Sequence, residues 1–151
     1  MQRRIVPHIV SGPREVARIG PSAAVSEAAR RMRERHVAAL LVMEDGRLVG
    51  IVTERDIVYR VVAEERDARA VTVREIMTPD PVTARPDERA IDALDKMRAG
   101  HFRHLPVVGE DGRVIAVVSI RDLHEAVRES LEEELHEAES YIHGEPYGLA
   151  G

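Results

Sequence analysis

Apolar residues recur at helical spacing early in the chain, and the same pattern returns later. Between residues 22 and 35 the spacing i, i+3, i+4, i+7, typical of a helix with one buried face, is formed by Val25, Ala28, Ala29 and Met32. Between residues 87 and 99 it is repeated by Ile91, Leu94 and Met97. Gly100 is a candidate stop for the second helix. The pattern predicts one amphipathic helix in each half of the chain.

Two short apolar runs follow each predicted helix, separated by Glu-Asp-Gly, which is typical of a hairpin turn. The runs cover residues 39–43 and 48–52 in the first half and 105–108 and 114–118 in the second. A further helix is expected to begin at Thr53 and at Ser119. Each unit is therefore predicted to be helix, strand, strand, helix, and an extended lead-in strand precedes it at residues 16–19 and 82–83.

These units are copies of one another. Met32-Arg33 recurs 65 positions later as Met97-Arg98. After one inserted residue the offset is 66, and Glu44-Asp45-Gly46-Arg47 matches Glu110-Asp111-Gly112-Arg113. Chance explains such an ordered match poorly, so we predict an α/β (α+β) fold made of two pseudo-symmetric repeats.

The predicted boundaries follow from these units: a first repeat over 10–68, a connector over 69–81, a second repeat over 82–128, and a C-terminal helix and tail over 129–151. In the connector, Thr72 and Glu75 have capping-box spacing, and Pro79 and Pro81 favour extended backbone after a short helical turn.

One long helix is predicted over residues 122–142. Its narrow apolar stripe consists of Val127, Leu131, Leu135, Ala138 and Ile142. The stripe is expected to lie on the module or to pair with a second copy of itself. The tail from Gly144 onward is expected to be loose.

Composition narrows the function. The net charge of −5 and the 3% of aromatic residues make nucleic-acid binding an unlikely role, because that role needs basic surface or stacking platforms. The absence of cysteine excludes a thiolate metal site and a cysteine nucleophile. Neither a signal peptide nor a membrane span is recognisable, so a cytoplasmic location without membrane association is expected.

The motifs Thr53-x-x-Asp56 and Ser119-x-x-Asp122 each follow a strand and open a helix. A hydroxyl residue with an acid three positions later is a common helix cap, and an isolated example needs no other explanation. Here the motif occurs twice, and Arg55 and Arg121 lie inside it. Free amides, a hydroxyl and a guanidinium suit a phosphate, and a carboxylate one turn inward can accept ribose hydroxyls. Nucleotide binding is therefore the functional alternative to plain capping.

On these motifs the sequence resembles a tandem pair of cystathionine-β-synthase (CBS) domains, also called a Bateman module, of the small stand-alone bacterial type. The resemblance covers about residues 10–130, and it is carried by the segments 46–56, 76–82, 102–108 and 112–122. It implies two sheets packed together, two clefts between the repeats, and AMP, ADP, ATP, NAD or S-adenosylmethionine as ligand. It also implies a homodimer, a regulatory role towards an unidentified partner protein, and no obligatory cofactor.

The resemblance assigns residues to the two clefts. In one cleft Asp122 would hold the ribose, Ser119 and Arg121 would face the phosphate with Arg103 and His104, and Ala17 would border the adenine. The other cleft would use Thr53, Arg55 and Asp56 with Val82.

The two copies differ at these positions. Ala38 and Ala39 stand in the first copy where Arg103 and His104 stand in the second. The Ser119/Asp122 cleft is therefore expected to bind phosphorylated adenosine more tightly, and S-adenosylmethionine would favour the other cleft. Ala116 replaces the glycine at position 50, and its methyl group is expected to narrow the cleft.

Other chemistries have weaker support. His101 and His104 have ligand-like spacing but no acidic third ligand nearby in sequence, so no metal site is predicted. Ser119, His104 and Asp122 contain the residue types of a catalytic triad, but the doubled context favours ligand binding, and no enzyme is predicted. A scaffold whose clefts are empty is the alternative function.

Overall fold

The computed structural model describes residues 3–10, 12 and 15–142, so the predicted loose tail lies outside the described residues. The first repeat consists of β1 (Arg18–Ile19), α1 (Val25–Arg35), β2 (Ala39–Glu44), β3 (Arg47–Thr53) and α2 (Glu54–Ile57), which continues as a π-helical extension over Val58–Val62. The connector contains α3 (Val73–Ile76) and β4 (Thr78–Pro79). The second repeat consists of α4 (Ala90–Gly100), β5 (His104–Val108), β6 (Val114–Ser119) and α5 (Ile120–Ile142).

Both repeats have the predicted order of helix, strand, strand, helix. In the first repeat β1 runs parallel to β2, β2 pairs antiparallel with β3, and β4 adds to the other side of β3. In the second repeat β5 and β6 form an antiparallel pair. The second lead-in, expected at residues 82–83, is a single parallel bridge between Ala84 and Val107.

A histidine ends the first helix of each repeat. His36 follows α1 and His101 follows α4, and both adopt the left-handed conformation, with φ of 53° and 58°. The prediction that Gly100 stops the second helix is wrong by one residue, because Gly100 is the last residue of α4. Few side chains tolerate this conformation, and histidine is one of those enriched there.

Three clusters of apolar side chains form the core. One lies inside each repeat, and the third joins the two sheets. In this third cluster Leu41 and Ile51 of the first sheet are buried, and Val114 and Val117 of the second sheet pack against them. The prediction that the sheets pack together is confirmed.

The segments that precede the two repeats are exchanged between them. Ile5 and Val10 lie before the first repeat, yet both are buried in the core of the second. Conversely, Val73 and Ile76 of α3 lie before the second repeat and are buried in the core of the first. Isolated bridges mark the same exchange, between Arg4 and Arg89 and between Ala24 and Thr72.

Capping fixes the start of α3. The Thr72 backbone N–H donates to Glu75 Oε2 at 2.8 Å, which completes the capping box predicted from the sequence.

The α5 helix runs for 23 residues, from Ile120 to Ile142. Among the described residues, no helix combines the length and the apolar character needed to cross a membrane.

Replacing Ile5 tests the exchange of segments. Because Ile5 is 0% exposed in the core of the second repeat, Ile5→Ala is expected to lower the free energy of unfolding by about 2–5 kcal/mol. Urea denaturation measures the change. Val37→Ala, at a side chain that is 37% exposed, is the control and should change stability by no more than about 0.5 kcal/mol. Equal stability of the two variants would contradict the exchange.

Candidate ligand-binding site

The two hydroxyl–acid motifs cap helices. Thr53 is the N-cap of α2: its Oγ1 accepts from the Asp56 N–H at 3.3 Å, and its own N–H donates to Asp56 Oδ2 at 2.9 Å. In the second repeat the Asp122 N–H donates to Ser119 Oγ at 3.2 Å, and the Ser119 N–H donates to Asp122 Oδ2 at 2.9 Å. The capping interpretation is therefore correct for both motifs.

Capping occupies one oxygen of each carboxylate and leaves the other available. Asp56 Oδ1 lies 4.0 Å from Arg60 Nε, and within the described residues it accepts no hydrogen bond. Asp122 Oδ1 likewise accepts none from the described part of the chain. A carboxylate can thus cap its helix and still present an acceptor to a ligand.

A cavity of about 330 Å³ lies between the repeats, beside the start of α2. Ala38, Ile51 and residues 53–56 of the first repeat form one wall. The connector contributes Thr78, Asp80 and Pro81, and the second repeat contributes Val82 and residues 100–104, from the end of α4 to the start of β5. The volume falls at the lower end of the range for small-molecule sites.

Six of the ten predicted ligand-binding residues meet in this cavity: Thr53, Arg55, Asp56, Val82, Arg103 and His104. Ser119, Arg121, Asp122 and Ala17 are not among the described residues that line it. Ala17 packs against the core of the first repeat, and its carbonyl accepts from the Leu41 N–H at 3.1 Å. The second predicted cleft, around Ser119 and Asp122, stays a prediction.

Arg103 and His104 were assigned to the cleft of their own repeat, and the structure places both in the lining of the cavity that contains Thr53 and Asp56. Arg103 precedes β5 and His104 begins it, at the place where the two repeats meet. His104 also pairs with Ser119 in the β5–β6 ladder, and the Asp122 carboxylate acts on its imidazole. These side chains therefore border the first repeat's motif, and the relative phosphate affinity of the two clefts stays a prediction.

The cavity carries charges of both signs. Arg55 and Arg103 are exposed, and neither guanidinium forms a hydrogen bond or an ion pair within the described part of the chain. The carboxylates of Glu54 and Asp80 face the same space. The arginines can therefore serve an anionic group, while the acids limit how much negative charge the cavity accepts.

Several residues that line the cavity were not predicted from the sequence, among them Glu54, Asp80, His101 and Phe102. Glu54 lies inside the recognised motif, and the other three adjoin residues that were singled out. Phe102, the one phenylalanine of the chain, adds apolar surface to that of Ile51 and Val82. Adjacency to the motifs was the available signal for all four residues.

His104 titrates below the usual histidine range. Burial lowers the pKa of its imidazole, the nearby Glu54 carboxylate opposes that shift, Arg103 adds to it, and Asp122 opposes it. Because the unperturbed value is about 6.5, His104 is neutral at pH 7 in the unliganded chain.

Gly50 is required by strand packing. A Cβ at this position would lie 2.5 Å from Met77 Sδ and 3.0 Å from the Thr78 carbonyl oxygen. Its counterpart Ala116 is fully buried in the core of the second repeat, and Ala116 does not line the cavity. The expectation that the Ala116 methyl group narrows the Ser119/Asp122 cleft stays a prediction. At position 50, the glycine lets β4 of the connector pair closely with β3.

The described residues contain no group of three or more histidine, aspartate or glutamate side chains that could hold a metal ion. The chemistry available at the cavity is that of two guanidiniums, two imidazoles, three carboxylates, two hydroxyls and an apolar wall.

Comparisons with known proteins agree with this architecture. Residues 13–63 and 73–129 match the family model described as the CBS domain. The CBS-domain containing protein ATU1752 from Agrobacterium tumefaciens is 32% identical, with a TM-score of 0.69 over 75% of this chain and 89% of that chain. The CBS domain protein PAE2072 from Pyrobaculum aerophilum, complexed with AMP, is 29% identical, with a TM-score of 0.67 over 72% of this chain and 83% of that chain.

A curated relative from Arabidopsis thaliana, the CBS domain-containing protein CBSCBSPB3, is 36% identical over 118 residues. The match covers 78% of this chain but 21% of the relative, so the chain spans about a fifth of that protein's length.

Two substitutions of Asp56 test its role as a cap. Asp56→Ala removes the acceptor of the Thr53 N–H and should destabilise the fold by about 0.5–2 kcal/mol. Asp56→Asn keeps a side-chain acceptor and should cost less. Urea denaturation measures both, with the exposed Glu64→Ala as control. Equal losses for the two Asp56 variants would contradict the capping role.

Proposed function

The chain belongs to the CBS domain family, and on that premise we propose that it is a non-catalytic regulatory module that binds an adenine nucleotide. The ligand is AMP, ADP, ATP or NAD, and its site is the cavity between the repeats. The observation that carries the proposal is the meeting of Thr53 and Asp56 of one repeat with Arg103 and His104 of the other.

Each part of a nucleotide has a counterpart in the cavity. Asp56 Oδ1 accepts from the ribose hydroxyls while Oδ2 continues to cap α2. Arg55 and Arg103 donate to the phosphate, and His104 joins them when it is protonated. Ile51, Val82 and Phe102 supply apolar contact to the adenine.

AMP is the first ligand to test, for two reasons. The similar protein from Pyrobaculum aerophilum is complexed with AMP. In addition, the carboxylates of Glu54 and Asp80 oppose the further negative charge that ADP and ATP carry. Ser119, Arg121 and Asp122, with Ala17, are proposed as a second and weaker site.

Binding at this place transmits a signal because the ligand touches both repeats and the connector. A ligand that binds one arrangement of the repeats more tightly shifts the population toward it. We place the module in the cytoplasm as a homodimer that regulates another protein, and the dimer carries the change to that partner.

Two other functions have some support. Both motif acids act as caps, so a scaffold with empty clefts would keep the same residues. S-adenosylmethionine carries a sulfonium cation, which suits a cavity that contains Glu54 and Asp80. The expectation that S-adenosylmethionine favours a cleft without phosphate donors does not apply to this cavity, because Arg103 and His104 line it.

Removing Arg103 tests phosphate recognition. Arg103→Gln is expected to weaken AMP binding by about tenfold or more. A hydrogen bond to a charged group contributes about 1.5–3 kcal/mol, and a loss of about 1.4 kcal/mol raises the dissociation constant about tenfold. Isothermal titration measures AMP and adenosine in parallel, and adenosine affinity should not change.

Arg113→Gln is the matched control, since this exposed arginine is absent from the cavity lining. If the natural chain binds none of AMP, ATP and NAD, the nucleotide proposal fails. If AMP affinity survives Arg103→Gln, the site is elsewhere.

Binding should also depend on pH through His104. In the free chain the pKa of His104 lies below its usual value, and a bound phosphate raises that pKa. At a pH between the pKa of the free chain and that of the complex, His104 therefore takes up a proton when the ligand binds. AMP affinity is therefore expected to rise as the pH falls from about 8 toward the unperturbed value of about 6.5.

The measurement compares the natural chain with His104→Asn at each pH, so that the titration of the phosphate itself, near pH 6, cancels. Titrations in buffers of different ionisation enthalpy report the proton uptake. If the ratio of the AMP affinities of the natural chain and the His104→Asn variant does not change with pH, His104 does not have this role.

A further inference from the structure

One arginine lies beside the carboxylate of the first motif and has no counterpart at the second. Arg60 follows Asp56 by one helical turn, and its Nε lies 4.0 Å from Asp56 Oδ1. At the repeat offset of 66, the second repeat has Ala126, which is buried in the core of that repeat. The duplicated motifs therefore differ in whether a guanidinium accompanies the acid.

Capping of the helix does not require Arg60. The N–H of Thr53 and that of Ser119 both donate to the acid of their motif at 2.9 Å. The return bonds, from the N–H of Asp56 and of Asp122 to the hydroxyl oxygens, measure 3.3 Å and 3.2 Å. Since the second cap is equally complete beside an alanine, the presence of Arg60 needs another explanation.

The guanidinium of Arg60 also contacts the connector. Its Nη1 donates to the Ile76 carbonyl at 3.1 Å. Ile76 is the last residue of α3, and its side chain is buried in the core of the first repeat. Two residues later, Thr78 lines the cavity. Arg60 thus links the carboxylate of the motif to the segment that forms another wall of the same cavity.

The two contacts of Arg60 differ in kind. At 4.0 Å its Nε is too distant from Asp56 Oδ1 for a hydrogen bond, so the attraction is Coulombic, and the side chain of Arg60 is 53% exposed. A ribose hydroxyl at hydrogen-bond distance from Oδ1 would approach that oxygen more closely than the guanidinium does. The contact with the Ile76 carbonyl involves no atom that the ligand needs. A ligand can therefore replace the first contact and leave the second in place.

We propose that Arg60 is a positioning residue that couples ribose binding at Asp56 to the connector. In the free chain its guanidinium attracts Asp56 Oδ1 and holds the end of α3. When ribose hydroxyls donate to Oδ1, Arg60 loses that attraction and keeps the Ile76 carbonyl. The inference rests on the proposed function, and it predicts that Arg60 lowers the affinity for ligands with ribose hydroxyls, which a cap alone would not do.

Arg60→Met tests the coupling with two ligands that differ only in the ribose hydroxyls, AMP and its 2′,3′-dideoxy analogue. Both ligands carry the same phosphate, so the loss of a positive charge changes the two affinities equally and cancels in their ratio. Removing the competing guanidinium is expected to raise the preference for AMP by about two- to fivefold, within the range for an exposed ion pair. Isothermal titration measures both affinities. Arg60→Lys keeps the charge and should return the preference toward that of the natural chain.

Arg66→Met is the matched control. Arg66 also joins the chain after α2 to α3, because its Nη2 lies 2.6 Å from Glu75 Oε1. It forms neither a hydrogen bond nor an ion pair with Asp56, and it is not among the described residues that line the cavity. The preference for AMP over the dideoxy analogue should therefore be the same in Arg66→Met as in the natural chain.

Hydrogen exchange at α3 reports the connector directly. The Met77 N–H donates to the Val73 carbonyl at 2.9 Å and belongs to the same peptide unit as the Ile76 carbonyl that Arg60 contacts. AMP should slow the exchange of this amide in the natural chain, because Arg60 is then committed to the carbonyl. The dideoxy analogue should not slow it, and neither ligand should slow it in Arg60→Met.

The outcomes separate this inference from the nucleotide proposal. If Arg60→Met changes the affinities for AMP and the dideoxy analogue by the same factor, or if Arg66→Met shifts the preference as strongly, the coupling role of Arg60 is wrong and the nucleotide proposal stands. If the natural chain binds neither ligand, the nucleotide proposal is wrong and the role of Arg60 falls with it.

Discussion

The reciprocal burial of the segments that precede the two repeats is the constraint on which the rest of the structure depends. Ile5 completes the core of the second repeat, and Val73 and Ile76 complete that of the first. Neither repeat has a complete core from its own residues, so the two halves fold as one unit. The exchange also positions the cavity, because the chain that leaves the buried α3 passes directly into the lining residues Thr78, Asp80, Pro81 and Val82.

The duplicated motif has a structural role in both halves, and the proposed binding chemistry depends on residues that differ between them. Thr53 and Ser119 begin helices through equivalent hydrogen bonds to Asp56 and Asp122. The difference lies in the partner wall, where Arg103 and His104 face the first motif and the corresponding residues of the first repeat are alanines. A pair of equivalent caps can therefore border clefts of different charge.

Local features of the sequence predicted local structure well. Helical periodicity located α1 and α4, and the Glu-Asp-Gly turns and capping motifs located the hairpins and the starts of α2, α3 and α5. Arg103 and His104 were assigned to a cleft by repeat symmetry, which relates residues within a unit, whereas the cavity that they line is formed between units. The role of Gly50 was equally hidden, since the side chain that excludes a Cβ there is Met77, which lies 27 positions away in the connector.

One short helix joins the cavity to an exposed apolar surface. Asp56 lies in its first turn with one oxygen capping Thr53, and the extension beyond it carries the exposed side chains of Val58, Tyr59 and Val62. Asp56 Oδ1 lies 4.0 Å from Nε of Arg60 on the same extension, and Arg60 also donates to the Ile76 carbonyl of α3. Under the proposed function, a ligand at Asp56 Oδ1 would compete with Arg60 and so would change the interactions of the extension itself. Such coupling needs no distant relay, because a single helical segment reaches from the cavity to this surface.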